Sequence, residues 1–301
     1  MRVTGQMQNI QLLRNLRNIN ADLLDKNNKL STGQRINRPG DDPVGIGYQM
    51  RYDTELLRSN EFMENVKTGS GMLRTMDSLM QQASDVLKRA RVLTQQASTG
   101  TVPAEVRKNI AAEMQQLKEQ MVMIGNSNYN GRFLFNGQKT DQPPYTSAGA
   151  AGESTDPGVY FLNVSPSVTV PVSITGEVIF GAADTAGNPN PNNVFKVFDD
   201  IISHLNNNEQ DQLLADLDRI DTAMDRISVS WAEIGARMNR FELMEDRILD
   251  EQVGLKDLRS KVADVSYPEA ITELKMKESV LQAALSTGAR IMQTTLIDFI
   301  R

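Results

Sequence analysis

The chain has no cysteine, one histidine and one tryptophan among 301 residues. Without Cys there can be no disulfide, no thiolate nucleophile and no Cys-ligated zinc or iron-sulfur cluster. Aromatic residues make up 5% of the chain. That is too few to wall a ligand pocket with rings, and it favours helices layered through Leu, Met and Ala. Basic charge is short as well, with 32 Lys and Arg against 38 Asp and Glu and a net charge of -6. Nucleic-acid binding depends on many coincident phosphate contacts, so it is not expected here. No apolar run approaches the length of a membrane span, so membrane insertion is not expected either. The opening MRVTGQMQNI lacks the apolar segment and processing site of a cleaved signal peptide. His204 stands among Ser203, Leu205 and an Asn run with no nucleophile or ligand cluster nearby. It reads as a surface or helix-end residue, and no catalytic site, metal or cofactor is expected.

What the chain does have is helical periodicity. Leu12, Leu16, Ile19, Leu23 and Leu30 form a stripe with Lys26 standing in it. This helix should stop near Ser31-Thr32-Gly33, and Asp41-Asp42-Pro43 should cap a new one running towards Val66. A second stretch carries Met72, Met76, Leu79, Ala83, Val86, Ala90, Leu93 and Ala97 and ends at Thr99-Gly100. A third begins near Pro103 and runs through Val106, Ile110, Met114, Leu117, Met121 and Ile124. The short turn between these two predicts an antiparallel pair. Their methionines read first as core filling, with an adaptable binding face as the alternative.

Between Asn126 and Gly137 the Asn-Gly steps at Asn130 and Asn136 bracket a short strand, Arg132 to Phe135. Residues 139–199 then read as a small β-rich insert, with strands at Val159 to Leu162, Val168 to Ile174 and Val178 to Phe180; a partly disordered linker is the alternative. From Leu213 to Leu255 steps of four and three continue without a proline. A helix of about 50 residues would be roughly 75 Å long, which predicts a rod. Ser266 to Glu269 opens a last amphipathic helix, with Ile271, Leu274, Leu281, Leu285, Met292 and Phe299 in its stripe. Apolar stripes at both ends of a chain point to pairing with each other or with neighbouring subunits.

Several residues invite a site. Asp41 and Asp42 are read as helix capping and subunit contact in preference to metal or acid-base work. Arg35, Arg38 and Arg132 could hold those carboxylates or a neighbour's, or belong to a solvated turn. Trp231 reads as a core or interface anchor on the long stripe.

The run from Leu30 to Asn37 (LSTGQRIN), continued by Arg38 to Gly45 (RPGDDPVG), resembles the N-terminal signature of the bacterial flagellin family. The Arg-Pro-Gly-Asp-Asp-Pro form is most similar to family members that stand between hook and filament. Asn130 to Gly137, Gly235-Ala236-Arg237-Met238-Asn239-Arg240 and the ending Tyr267 to Ile300 are similar to later segments of the same members. The resemblance implies a mainly α, elongated, flagellin-like antiparallel helical bundle with a small β-rich inserted domain. Residues 1–39 and 263–301 would be its assembly core, 40–138 and 200–262 its helical rod, and 139–199 the insert. It implies a non-enzymatic structural subunit, exported uncleaved by the flagellar type III route and located in the flagellum at the hook-filament junction. Its partners would be further copies of itself, a neighbouring hook-associated protein, flagellin, and a cytoplasmic export chaperone at the C-terminal region. Interface candidates are the terminal stripes together with Arg35, Asn37, Arg38, Asp41, Asp42, Arg132, Trp231, Arg237 and Asn239. A secreted helical adhesin or a secretion-needle tip module is the competing expectation, in which the insert would carry the receptor surface.

Overall fold

A computed structural model of the chain describes residues 5–99, 102–185 and 190–299, with the side chains of 5, 6, 8, 9 and 291–299 outside that description. In chain order the principal elements are α1 (Gly5–Thr32), α2 (Pro43–Ser98), α3 (Ala104–Gly125), β1 (Asn128–Tyr129), β2 (Arg132–Phe133), β3 (Phe161–Ser165), β4 (Val168–Pro171), α4 (Gly176–Phe180), α5 (Val194–Asn207), α6 (Gln210–Ala263) and α7 (Tyr267–Phe299). The fold is mainly α, with long helices and few small strands, as the periodicity predicts.

The chain divides into two compact units. One comprises Met1–Arg58 with Asp250–Arg301, the other Ser59–Leu249. The second, central unit holds the hydrophobic core, a single buried cluster whose members all lie between Met63 and Ile248. Met76 and Leu87 from α2, Met114 and Met121 from α3, Phe198 and Ile201 from α5, and Ile220 and Ile227 from α6 belong to it. The methionine stripe is therefore core. Cross-helix pairs pin the same packing: Trp231 Nε1 donates to Asp77 Oδ1 at 2.6 Å, and Arg91 Nε donates to Asp221 Oδ1 at 2.6 Å.

In two places the chain departs from what its periodicity suggests. The two stretches before and after Thr68-Gly69-Ser70-Gly71 are one uninterrupted helix, α2. Each glycine costs a helix about 1 kcal/mol relative to alanine, yet both sit where a side chain would collide. A Cβ on Gly69 would lie 2.4 Å from the Phe241 ring, and one on Gly71 would lie 2.3 Å from the Tyr129 hydroxyl. They mark close approach, not an end. The second departure is Val178 to Phe180, which falls in the short helix α4 and not in a strand. Ile179 and Phe180 are fully buried there. Phe180 meets Phe135 edge-on at 5.8 Å between centroids, Tyr145 edge-on at 5.7 Å, and Phe195 at 5.4 Å. Burial of both residues of an adjacent pair suits one turn of helix better than a strand, whose side chains alternate.

Over its described residues the insert is packed chain rather than linker. β3 and β4 form an antiparallel hairpin with a bulge at Asn163 and Ser165. Its inward residues Leu162, Val164 and Val170 join the central core. Asn193 begins α5 by accepting from the backbone N–H of Phe195 at 3.0 Å and Lys196 at 3.2 Å, which satisfies two of the helix's free donors. Asn208, at φ +59°, closes α5 in the left-handed region.

His204 does lie in the last turn of α5, but it is not idle at a solvated end. Its Nδ1 is 2.7 Å from Asp216 Oδ2, and Asp216 is buried on α6. Arg219 Nη1 donates to the other oxygen of Asp216 at 2.8 Å, and its Nη2 donates to Asp200 at 2.8 Å. Arg219 Nε also donates to the Pro191 carbonyl at 2.8 Å. This network ties the segment leading into α5 to α6. Among the described residues no group of three or more His, Asp and Glu is placed to hold a metal ion.

Candidate assembly interface

The terminal unit is built on α1 and α7. Leu12, Leu16, Ile19, Leu23 and Leu30 are half-buried along α1, and Leu274 and Leu281 are half-buried along α7. The helices approach closely at Gly288, where a Cβ would lie 2.8 Å from Leu12 Cδ2. The pair is bordered by charge: Lys26 donates to Glu273, and Lys277 Nζ donates to Asp22 at 2.6 Å. The Lys26 ammonium holds the Glu273 carboxyl below the usual carboxylate range, and Lys277 does the same for Asp22. Leu285 faces outward at 54% exposed, with Ala284 taking the half-buried place beside it. The side chains of Met292 and Phe299 lie outside the described residues.

Where α1 ends, Gly33 takes φ +71°, a conformation that favours glycine, and Tyr267 covers it. The turn that follows is held to the loop after α6 by backbone pairing. Val265 N–H donates to Gly33 O at 3.0 Å, Arg35 N–H donates to Ala263 O at 2.7 Å, and Gln34 bridges Asp264. Arg35 extends the link, donating from Nη2 to Val262 O at 2.8 Å and to Asp42 Oδ2 at 3.1 Å. Ile36 is buried beneath it. Asp42 also accepts from the Gly45 N–H at 2.8 Å, the capping bond expected at the start of α2. Asp41 accepts from the backbone N–H groups of Arg38 at 2.9 Å and Asn37 at 3.1 Å. The side chains of Asn37 and Arg38 are exposed.

The two aspartates thus fold the turn, with Arg35 on Asp42 and with backbone, not the Arg38 side chain, on Asp41. Backbone donors hold both carboxyls below their ordinary range, chiefly Arg38 and Asn37 for Asp41, and Gly45 followed by the Arg35 guanidinium for Asp42. A depressed folded value contributes stability above the usual carboxylate range and loses it as pH falls through the folded value. Acidification to that point should lower the protection of the Asn37, Arg38 and Gly45 amides, relative to intrinsic exchange at the same pH, before it affects the central unit. Hydrogen exchange followed by NMR would check this; unchanged protection at the three amides while the central unit opens would contradict it.

The remaining candidates lie in the central unit. Arg132 reaches Tyr160, donating to its hydroxyl at 3.1 Å with the guanidinium carbon 5.8 Å from the ring centroid. Trp231 is half-buried against the core, Arg237 donates to Ser173 O at 2.9 Å, and Asn239 is exposed on α6.

Further apolar side chains of the terminal unit are exposed outside the predicted stripes. Ile10, Leu13 and Leu24 are exposed on α1, and Tyr267, Met276 and Val280 are exposed on α7; Ile271, placed in the stripe by its spacing, is exposed as Leu285 is. Along α1 the signal lies in the doublets Leu12-Leu13 and Leu23-Leu24, about three turns apart, whose second members point about 100° away from the stripe. Although this unit is the smaller, most of the exposed large apolar side chains among the described residues lie in it. Among its described residues the buried apolar ones are Ile36, Ala263 and Ala270, of which one is large. Such a surface suits contact with other chains better than contact with water.

Comparison with known proteins places both ends of the chain in one family. Residues 3–140 match the bacterial flagellin N-terminal helical region, and residues 217–300 match the bacterial flagellin C-terminal helical region. The chain is 23% identical to flagellar hook-associated protein 3 of Salmonella typhimurium, with 100% of each chain covered. It is 23% identical to the protein of the same name from Escherichia coli, over 94% of this chain and 95% of that one. The solved structure of flagellar hook-associated protein-3 from Legionella pneumophila shares the fold, with a TM-score of 0.60 at 18% identity over 71% of this chain and 98% of that one. The terminal helical regions, the turn between them and the central helices are those of one family, and the chain belongs to the bacterial flagellins.

Proposed function

We propose that the chain is a structural subunit of the bacterial flagellum that joins hook to filament. The observation that carries this reading is the end-to-end match to flagellar hook-associated protein 3, which leaves no part of either chain uncovered. The Arg38-Pro39-Gly40-Asp41-Asp42-Pro43 turn supports it. The exposed apolar rows of the terminal unit supply a surface for neighbours. In this reading residues 1–39 and 263–301 form the assembly core, 40–138 and 200–262 the rod, and 139–199 an outer insert. Its contacts are further copies of itself, a hook-associated protein and flagellin. A cytoplasmic chaperone covers the C-terminal stripe before export, because an unshielded apolar row would associate inside the cell. The full-length match favours this reading over a secreted adhesin or needle tip.

Deleting the gene tests it. Cells should bear hooks without filaments while releasing flagellin into the medium, and labelled protein should mark a short band where hook meets filament. Normal filaments in the deletion strain would overturn the proposal. So would label running along the filament, which would make the chain a filament subunit.

A further inference from the structure

The chain contains two Asn-Gly steps, and the fold treats them in opposite ways. Asn130-Gly131 is the two-residue turn between β1 and β2, which pair with Tyr129 opposite Arg132. Both residues have positive φ, +51° and +78°, the pattern of a type I′ turn. Both are exposed, and nothing lies within 4 Å of where a Cβ on Gly131 would be. Asn136-Gly137 has the same chemistry in a packed setting. Asn136 is 7% exposed, its amide nitrogen donates to Gln142 O at 3.1 Å, and its oxygen accepts from Asp156 N–H at 3.3 Å. A Cβ on Gly137 would sit 2.2 Å from the Asp156 carbonyl.

We propose that Asn130 is a site of spontaneous deamidation in the folded protein, and that Asn136 is protected from the same reaction by its packing. The backbone nitrogen of Gly131, losing its proton to hydroxide, attacks Cγ of Asn130. The new N–C bond closes a five-membered succinimide, and the side-chain nitrogen leaves as ammonia. Water then opens the ring at either carbonyl, giving aspartate or isoaspartate. Glycine favours the first step because no Cβ shields its nitrogen and its backbone turns freely. At Asn136 the amide must first abandon both hydrogen bonds and move within a packed interior, which raises the barrier.

The product matters to the hairpin. Isoaspartate adds a methylene to the main chain of a two-residue turn, so the Tyr129 and Arg132 register no longer closes. The Arg132 bond to Tyr160 and the Tyr129 phenol over Gly71 are the contacts that loosen. A new carboxylate also appears two residues from the Arg132 guanidinium.

The test is peptide mapping by mass spectrometry, with isoaspartate detection, of the full chain held in warm, mildly alkaline buffer. Asn130 should convert at least about tenfold faster than Asn136, a difference of ~1.4 kcal/mol in barrier. The same chain in concentrated urea should lose the difference, since both are then unfolded Asn-Gly steps preceded by an aromatic residue. Asn130→Gln should abolish the Asn130 signal and leave Asn136 intact. Similar rates at the two positions in the folded protein would overturn the proposal. So would a ratio that survives unfolding, which would place the difference in local sequence and not in the fold.

Discussion

A chain reduced to residues 40–265 should keep its central fold and lose its ability to assemble. The buried cluster runs from Met63 to Ile248, so every member survives the truncation. What is removed is α1 and all of α7, whose described stripe positions are half-buried or exposed. The loss of stability in the central unit should not exceed about 1 kcal/mol, a shift of roughly 2–4 °C in Tm for a unit of this size. Assembly should fail outright, because the exposed rows at Ile10, Leu13, Leu24, Met276 and Val280 go with the ends. Circular dichroism melting of the shortened and full chains, set beside a motility assay, separates the two effects. A shortened chain that is unfolded at room temperature, or one that still joins hook to filament, would show that the termini do another job.

The second large effect is expected at a single carboxylate. Asp216→Ala should destabilise the central unit by about 3–5 kcal/mol, the usual loss when one partner of a buried ionic network is removed. The Asp216 side chain is 2% exposed, and the Arg219 and His204 side chains it holds are 18% and 21% exposed. Without it Arg219 keeps Asp200 and the Pro191 carbonyl but loses its most buried partner. Arg219→Ala in the same background should cost less than it does alone, since the bond it would break is already gone. Urea unfolding of the two single variants and the double variant measures this. An Asp216→Ala loss below about 1 kcal/mol would mean that water replaces the carboxylate and that the site is effectively at the surface.

Much of this architecture is legible in the residues, and the exceptions have physical causes. The stripe from Leu213 to Leu255 is one helix because no Pro interrupts it, and most of its apolar positions up to Ile248 meet a single core. Gly33 ends α1 and Asp42 caps α2 because turn chemistry is local and survives any tertiary setting. The continuity of α2 through Gly69 and Gly71 is hidden because its reason lies far away in sequence, in the Phe241 ring and the Tyr129 phenol. Val178 to Phe180 has strand composition, but partners from Phe135, Tyr145 and Phe195 decide its backbone. His204 looks idle until Asp216, distant along the chain, is brought beside it. At the candidate interface the half-buried stripes are visible from spacing. The outward rows are not, since a doublet such as Leu12-Leu13 does not reveal which member faces a neighbour.

The backbone bonds joining Gly33 and Arg35 to Val265 and Ala263 also constrain the order in which the molecule can form. They connect residues more than two hundred positions apart, so closing them first would enclose most of the chain in one loop, with its full entropy cost. Folding the central unit removes that burden, because Gly69 then already rests against Phe241 and only two short helical arms remain to be aligned. Pairing of the ends should therefore be the last event in folding and the first to reverse. In stopped-flow refolding, a probe at Tyr267 should report later than Trp231, and slowing the centre should delay the ends by the same factor.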